Sequence, residues 1–122
     1  MSVEAATNRR ASERHQVDDV FIAVRPLFEP LGWVKDISKD GLAFEYGHFY
    51  QRPIRNSIEV DLFSSVHDLH IPRIPCRVIY DISRLEPFAT IRTRRCGIQF
   101  GELSEPQAAK LEIFLEERLS KN

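Results

Sequence analysis

The sequence predicts a small antiparallel β-barrel that is followed by one α-helix. Six short segments alternate apolar and polar residues at the two-residue period of a half-buried strand, whereas the C-terminal segment repeats apolar residues at helical spacing. The chain has 122 residues, which suits a single domain with one modest hydrophobic core. Short, regularly spaced strands that lead into one helix are typical of a barrel that the helix closes or flanks.

Turn residues and prolines limit the predicted strands. The first strand ends before Pro26, because proline restricts the backbone of the residue preceding it. Pro72 and Pro75 make the stretch before the fifth strand an edge or irregular strand at best. Segments 47–56 and 83–93 are expected to be loops. Near the end of the second loop, extensions of the neighbouring strands are expected. The predicted strands are residues 17–24, 33–37, 42–46, 57–63, 76–80 and 95–100.

The helix is predicted over residues 104–120. Ser104 can cap the first free N–H groups, Gln107 completes a capping box, and Pro106 is tolerated in the first turn. Four apolar residues follow at helical spacing and form one stripe that faces the core. They are Leu111, Phe114, Leu115 and Leu119.

Composition and charge exclude several classes of function. Hydrophobic residues make up 43% of the chain and charged residues 29%, and the formal net charge is -1. This balance argues against a protein that coats nucleic acid or an anionic membrane through bulk charge, so any anion binding must be local. No apolar run approaches the roughly 20 residues that span a bilayer, and the N-terminus lacks the apolar centre of a signal peptide. A cytoplasmic protein without membrane insertion is expected.

The cysteines and histidines give no sign of a metal or redox site. Cys76 and Cys96 lie in predicted strands, where a buried free thiol is the usual role, and neither belongs to a C-x-x-C pair. His67 and His70 have no evident third ligand, which favours surface or loop positions. No combination of nucleophile and base has a recognisable context, so neither an enzyme nor a metal cofactor is expected.

A polar turn between the second and third predicted strands carries the first functional signal. Asp36 and Ser38 can bond neighbouring backbone groups and hold a bend, and Gly41 permits a positive φ that other residues resist. An Asp or Ser oxygen that the turn does not use would accept from the N–H edge of a purine. This pattern alone is common in hairpins.

An arginine-rich arm near the N-terminus carries the second signal. Arg10 and Arg14 are four residues apart, and Arg9 directly precedes them. Guanidinium groups are always charged, and their planar donors fit phosphate oxygens or the O6/N7 edge of guanine. The alternative for such an arm, taken alone, is a solvated tail.

The two signals together resemble the PilZ domain family, bacterial receptors for cyclic di-GMP. The matching residues are Arg10 and Arg14 of R-x-x-x-R, and Asp36, Ser38 and Gly41 of D-x-S-x-x-G. The resemblance covers nearly the whole chain, since residues 96–104 look like the family's last strand and the start of its terminal helix. The family's fold, a six-stranded barrel with a C-terminal helix, agrees with the pattern of strands.

The resemblance implies a role for each residue of the motifs. Arg10 and Arg14 would contact phosphates and guanine edges, and Asp36 would accept from the guanine N1 and N2 donors. Ser38 would add a hydrogen bond. Gly41, which has no side chain, would serve the shape of the turn and the close approach of backbone.

Other residues have open roles at this point. In the family an arginine at the position of Arg9 accompanies a stacked pair of ligands, which favours the pair here. Tyr80 offers a stacking face, with a half-buried strand tyrosine as the more frequent alternative. Arg94 and Arg95 add positive potential near the site or form a solvated loop pair, and His15 borders the arm.

The expected function is switching. Residues 1–7 are expected to be a flexible tail and residues 8–122 one domain, whose arginine arm becomes ordered over cyclic di-GMP and signals to an unidentified partner protein. Motility, biofilm and polysaccharide control are themes of the family. The first alternative is an adaptor of the same fold that needs no ligand. The second, a nucleic-acid binder, is disfavoured by the acidic balance and by the Asp of the turn.

Overall fold

The computed structural model describes residues 13–26, 31–48, 56–84 and 92–120. The predicted tail, residues 1–7, lies outside these ranges. Within them the chain forms seven strands and one helix. The elements are β1 (His15–Gln16), β2 (Phe21–Val24), β3 (Leu31–Ile37), β4 (Gly41–His48), β5 (Ser57–Ser64), β6 (Leu69–Arg84), β7 (Arg92–Phe100) and α1 (Glu105–Ser120).

Six antiparallel strands close into a barrel. The order around it is β3, β2, β5, β6, β7 and β4, and β4 pairs again with β3. The short β1 pairs with the end of β3, where His15 lies opposite Ile37. Since β2 pairs with the beginning of β3, β1 and β2 follow one another along the same edge of that strand. The predicted six-stranded barrel with a C-terminal helix is confirmed, and β1 is an additional strand.

The strands differ from the predicted segments mainly in length. The first predicted strand, residues 17–24, is regular only in β2, because the chain bends between β1 and β2. The prolines do not end β6, but its pairing with β5 is irregular at Pro72 and Arg73, where the φ of Arg73 is positive. β6 pairs with β5 between residues 69 and 77 and with β7 between residues 76 and 84, so the part that contains both prolines has a ladder on one side. This agrees with an edge strand.

Two predicted loops are shorter than expected where the structure describes them. β4 continues two residues past Tyr46, and Gly47 lies opposite Thr93 of β7. β6 likewise extends to Arg84, where it pairs with the beginning of β7. The paired strands thus reach further from the barrel centre than alternation of apolar residues alone indicates.

The core fills the barrel and the space beneath α1. Every strand of the barrel contributes side chains that are fully buried. The largest of them are Phe44, Ile22, Ile37, Leu42, Leu62, Ile71 and Ile74. Leu111 and Phe114 of the helix are buried and Leu115 packs against the same core, as the helical spacing predicts. The structure therefore has one continuous hydrophobic core.

The predicted capping box begins the helix. The backbone N–H of Ser104 donates to Oε1 of Gln107 over 2.9 Å, and the backbone N–H of Gln107 donates to Oγ of Ser104 over 3.2 Å. The amide of Gln107 also donates to the carbonyl oxygens of Pro72 and Arg73. The cap therefore fixes the helix to β6 as well as starting it.

The cysteines and His67 are interior residues. Cys76 and Cys96 are free and buried, and burial raises the pKa of each thiol to about 12. The imidazole of His67 is only 5% exposed, and its Nε2 lies 2.7 Å from Oδ2 of Asp19. His67 thus lies in a turn, as expected, but its side chain is not at the surface.

The described residues contain neither a metal-binding cluster nor a membrane-spanning helix. No group of three or more His, Cys, Asp or Glu side chains in these ranges is arranged to hold a metal ion. In the same ranges, no helix combines the length and the apolar character that crossing a membrane requires.

Candidate functional site

The polar turn between β3 and β4 is held by Ser38. Its backbone N–H donates to the carbonyl oxygen of Gly41 over 2.8 Å. Its hydroxyl donates to the same oxygen over 3.3 Å and accepts from the backbone N–H of Asp40 over 3.2 Å. Because Ser38 is 2% exposed and both capacities of its hydroxyl are engaged, its first task is to shape the turn.

Gly41 is required by close packing of backbone. Its φ is not positive, contrary to the expectation for this glycine. A Cβ at this position would meet the carbonyl oxygen of Ile98 on β7. Residue 41 therefore has to be glycine for β4 and β7 to pair at the beginning of β4, which agrees with the predicted close backbone approach.

Asp36 lies at the end of β3, next to this turn, between two guanidinium groups. Nη1 of Arg14 lies 2.6 Å from its Oδ1, and Nη2 of Arg95 lies 3.3 Å from its Oδ2. The second terminal nitrogen of Arg95, Nη1, lies 3.3 Å from Oε2 of the buried Glu45. Four charged side chains from the segment before β1, from β3, from β4 and from β7 thus form one surface network.

A row of small residues lies between Asp36 and Tyr80. In the register of the barrel, Asp36 is opposite Ala43, Ala43 is opposite Gly97, and Gly97 is opposite Tyr80. A Cβ on Gly97 would meet the ring of Tyr80, so this ring lies across the glycine. Ala43 and Gly97 therefore form a floor of small, buried residues between Asp36 and Tyr80, and the ring of Tyr80 covers its Gly97 end.

Arg95 also connects the two sides of this floor. A hydrogen bond with the Tyr80 side chain is the main reason why the pKa of Arg95 lies above its usual value, and the charges of Asp36 and Glu45 act in the same direction. The guanidinium of Arg95 is therefore always charged and bridges the acid of the turn to the ring on β6.

Arg94 does not belong to this surface. Its Nε donates to Oδ1 of Asp81 over 2.9 Å, and its Nη2 donates to the backbone oxygen of the same residue over 2.8 Å. The hydroxyl of Tyr46 lies 2.9 Å from both carboxylate oxygens of Asp81. Burial, and then this hydrogen bond, raise the pKa of Tyr46. Both predicted roles of Arg94 are absent, because its side chain lies in a buried cluster at one end of the barrel.

The structure brings together part of the predicted site. Arg14, Asp36 and Tyr80 lie on one outer surface of the barrel, and His15 follows Arg14 on β1, half-buried. Arg9 and Arg10 lie outside the described residues. From the sequence alone the role of Arg95 stayed open, and a second group of residues at this surface was not predicted. These are Glu45, Ala43 and Gly97.

A signal for this second group exists in the sequence. Cys96 and Ile98 are apolar, and a strand places alternate residues on opposite faces. Residues Arg95 and Gly97 must then share the outer face of β7. Their meeting with Asp36 depends on the pairing of strands distant in sequence, which the pattern does not contain.

Comparison with solved structures establishes the class of fold. The chain has the fold of the PilZ domain: the PilZ domain of YcgR from Escherichia coli, solved with c-di-GMP, matches it with a TM-score of 0.61 over 93% of this chain and 95% of that one, at 16% identity. Neither a protein-family model nor a curated protein matches the sequence. The likeness therefore concerns the fold.

Two longer proteins contain the same fold. The complex of K. pneumonia MrkH with c-di-GMP has a TM-score of 0.72 and 17% identity, and the match covers 93% of this chain and 52% of MrkH. PlzA of Borreliella burgdorferi, also in complex with c-di-GMP, has a TM-score of 0.58 and 12% identity, over 99% of this chain and 57% of PlzA. The chain thus spans about half the length of these two proteins.

Proposed function

We propose that this protein is a receptor for cyclic di-GMP. The observation that carries the proposal is the Asp36 carboxylate, which lies on the outer face of a PilZ-type barrel between two guanidinium groups. The similar structures of YcgR, MrkH and PlzA contain c-di-GMP, which supports this choice of ligand.

The chemistry of the site suits a guanine nucleotide. The guanine N1 and N2 groups donate hydrogen bonds and need an acceptor, which Asp36 supplies. The phosphates need cations, which Arg14 supplies together with Arg9 and Arg10. Because Arg14 is bound to Asp36 in this structure, the ligand has to draw Arg14 from the carboxylate to a phosphate. Because Arg14 exchanges one anionic partner, Asp36, for another, the phosphate, the switch is reversible.

The remaining predicted residues complete the proposal. Ser38 and Gly41 keep the turn in the shape that presents Asp36, and a hydrogen bond from Ser38 to the ligand requires the turn to release its hydroxyl. Tyr80 offers its ring as a stacking face beside the floor of Ala43 and Gly97. We expect the ligand to bind as a stacked pair, to order the arginine arm, and thereby to change the surface offered to a cytoplasmic partner protein.

An adaptor that binds protein without a ligand is the second candidate. Three aromatic side chains of β2, β3 and β5 lie in one cross-strand row on the outer face: Phe21 pairs with Trp33 and with Phe63, and all three are exposed. The rings of Phe21 and Phe63 are stacked with centroids 6.0 Å apart. Exposed aromatic rings are typical of protein interfaces.

Calorimetric titration with cyclic di-GMP, with GTP and cyclic GMP as control ligands, tests the first candidate. We expect binding of the cyclic dinucleotide alone, at two molecules per protein. Asp36→Ala and Arg14→Ala should each weaken it roughly tenfold to a hundredfold, the loss expected for a charged hydrogen bond. Glu112→Ala, on the exposed face of α1, is the matched control and should bind normally. Absence of heat and of a thermal shift with the unaltered protein would leave the adaptor.

A further inference from the structure

We propose that Arg95 is a positioning residue of the cyclic di-GMP site, which holds Asp36 and Tyr80 on the two sides of the floor formed by Ala43 and Gly97. The inference rests on the proposed function. Arg95 lies outside both sequence motifs, and the arginines of those motifs cannot position Asp36 and Tyr80.

The two guanidinium groups on Asp36 differ in how firmly they are held. The side chain of Arg14 is 56% exposed and belongs to the segment that precedes the two-residue β1. The side chain of Arg95 is 30% exposed and belongs to the nine-residue β7, which is paired with β4 and with β6. Arg14 is therefore the partner that a ligand can displace, and Arg95 is the partner that remains.

The retained partner fixes the acceptor. A carboxylate turns easily about its last torsion, because that torsion has a broad minimum. Once Arg14 moves to a phosphate, the contact between Nη2 of Arg95 and Oδ2 of Asp36 still limits this rotation. It also keeps a positive charge beside the carboxylate that accepts from both guanine donors.

Glu45 in turn fixes Arg95. It lies directly opposite Arg95 across the pairing of β4 with β7, and its Oε2 accepts from Nη1 at 3.3 Å. The carboxylates of Glu45 and Asp36 thus take the two terminal nitrogens of one planar group. A lysine could not replace it, because a single ammonium cannot hold two acids in this fixed fork geometry.

The same group sets the position of the stacking ring. An interaction with Tyr80 is the largest cause that raises the pKa of Arg95, and the ring of Tyr80 lies across Gly97, where a Cβ would collide with it. The acceptor and the ring are therefore both placed by Arg95, at the two ends of the row that Ala43 and Gly97 form. The distance between the Asp36 carboxylate and the Tyr80 ring is therefore determined by residues of β7 and not by the N-terminal arginine arm.

A double-mutant cycle with cyclic di-GMP tests this role. Arg95→Ala should weaken binding roughly tenfold, the size of one charge-assisted hydrogen bond. In an Asp36→Ala background the same substitution should cost about threefold or less, because only its action on Tyr80 remains. If Arg95 instead touched a phosphate, the full loss would persist in that background and the positioning role would be overturned.

Selectivity provides a readout that a purely structural role would not change. Cyclic di-inosine monophosphate lacks the 2-amino donor, so its affinity depends on one oxygen of Asp36 instead of two. Arg95→Ala should therefore lower the preference for the guanine ligand over the inosine ligand. An unchanged preference would contradict the inference.

The outcomes separate the two proposals. If the unaltered protein does not bind cyclic di-GMP, the proposed function fails and this inference fails with it. If the unaltered protein binds and Arg95→Ala binds equally well, only the inference fails. Should Arg95→Ala not fold, as judged by circular dichroism, Arg95→Lys keeps the charge and loses the fork, and normal affinity of this variant would overturn the inference.

Discussion

Arg94 and Arg95 are neighbours on β7, yet they serve two different regions of the molecule. The side chain of Arg94 is 15% exposed and forms the buried cluster with Asp81 and Tyr46. The side chain of Arg95 is twice as exposed and joins the surface network around Asp36. Each arginine lies beside a carboxylate and a tyrosine, so the two clusters have the same chemistry on opposite faces of one strand.

Burial decides what this chemistry can do. In the buried cluster the guanidinium, the carboxylate and the phenol are bonded to one another, and neither water nor a ligand can replace a partner without a large desolvation cost. In the surface network the contact between Arg14 and Asp36 is open to solvent and can be exchanged. The first cluster therefore stabilises the barrel, and the second is suited to binding.

The largest expected difference is in the free energy of unfolding. Asp81→Ala leaves the partly buried Arg94 without its acid and should cost about 1.5–3 kcal/mol. Asp36→Ala at the surface should cost less than about 1 kcal/mol. Urea unfolding of both variants measures the difference. Similar losses would show that the surface network is structural and would weaken its assignment to a ligand.

The two arginines also show what the sequence can predict. The alternation of Cys96 and Ile98 assigns a face to each residue of β7, but the predicted strand began at residue 95 and left Arg94 in a loop. The acid that Arg94 meets is 13 residues away and the phenol of the same cluster is 35 residues from that acid. Such partners are fixed by the pairing of strands, which local pattern does not determine.

Local features were predicted more completely. The capping box of Ser104 and Gln107 forms as predicted, because its hydrogen bonds join residues three apart. The turn that carries Asp36 was found for the same reason. The alternation of β7 places Gly97 on the outer face, but its role depends on the ring of Tyr80 that lies across it, which the alternation does not indicate.

A third ion pair, between Arg25 and Asp61, tests whether burial alone makes an ion pair stabilising. Asp61 lies between the interior residues Val60 and Leu62 of β5 and accepts from Nε and Nη2 of Arg25 over 2.8 and 3.0 Å. It also accepts from the backbone N–H of Arg73 over 3.0 Å. Asp61 is thus buried, like Asp81, although its pair lies on the outer face, like Asp36.

This pair should contribute stability that depends on pH. The hydrogen bond from Arg25 holds the pKa of Asp61 below its usual value, so the folded state favours the charged form. The contribution is complete above the unfolded pKa of about 4 and is lost as pH falls through the lower folded pKa. Asp61→Asn should cost about 2 kcal/mol at pH 7.

Urea unfolding at a series of pH values measures this dependence. The gap between the unaltered protein and Asp61→Asn should close as pH falls below about 4. Glu112→Gln, on the exposed face of α1, is the control and should change neither the stability nor its dependence on pH. A gap of constant size would mean that shape, and not charge, accounts for the effect.

The smallest expected effects concern the two tyrosines, one in each cluster. Tyr46→Phe removes the hydroxyl that donates to Asp81 and should cost about 1 kcal/mol of stability. Binding of cyclic di-GMP should be unchanged. Tyr80→Phe keeps the ring over Gly97 and removes only the hydroxyl group, whose interaction with Arg95 raises the pKa of that arginine, so stability should change by less than about 0.5 kcal/mol. Binding by this variant should weaken by roughly twofold to fivefold, because the ring is less firmly placed.

Urea unfolding and calorimetry on the same two preparations separate these effects. The opposite pattern, with Tyr46→Phe affecting binding and Tyr80→Phe affecting stability, would reverse the assignment of the two clusters.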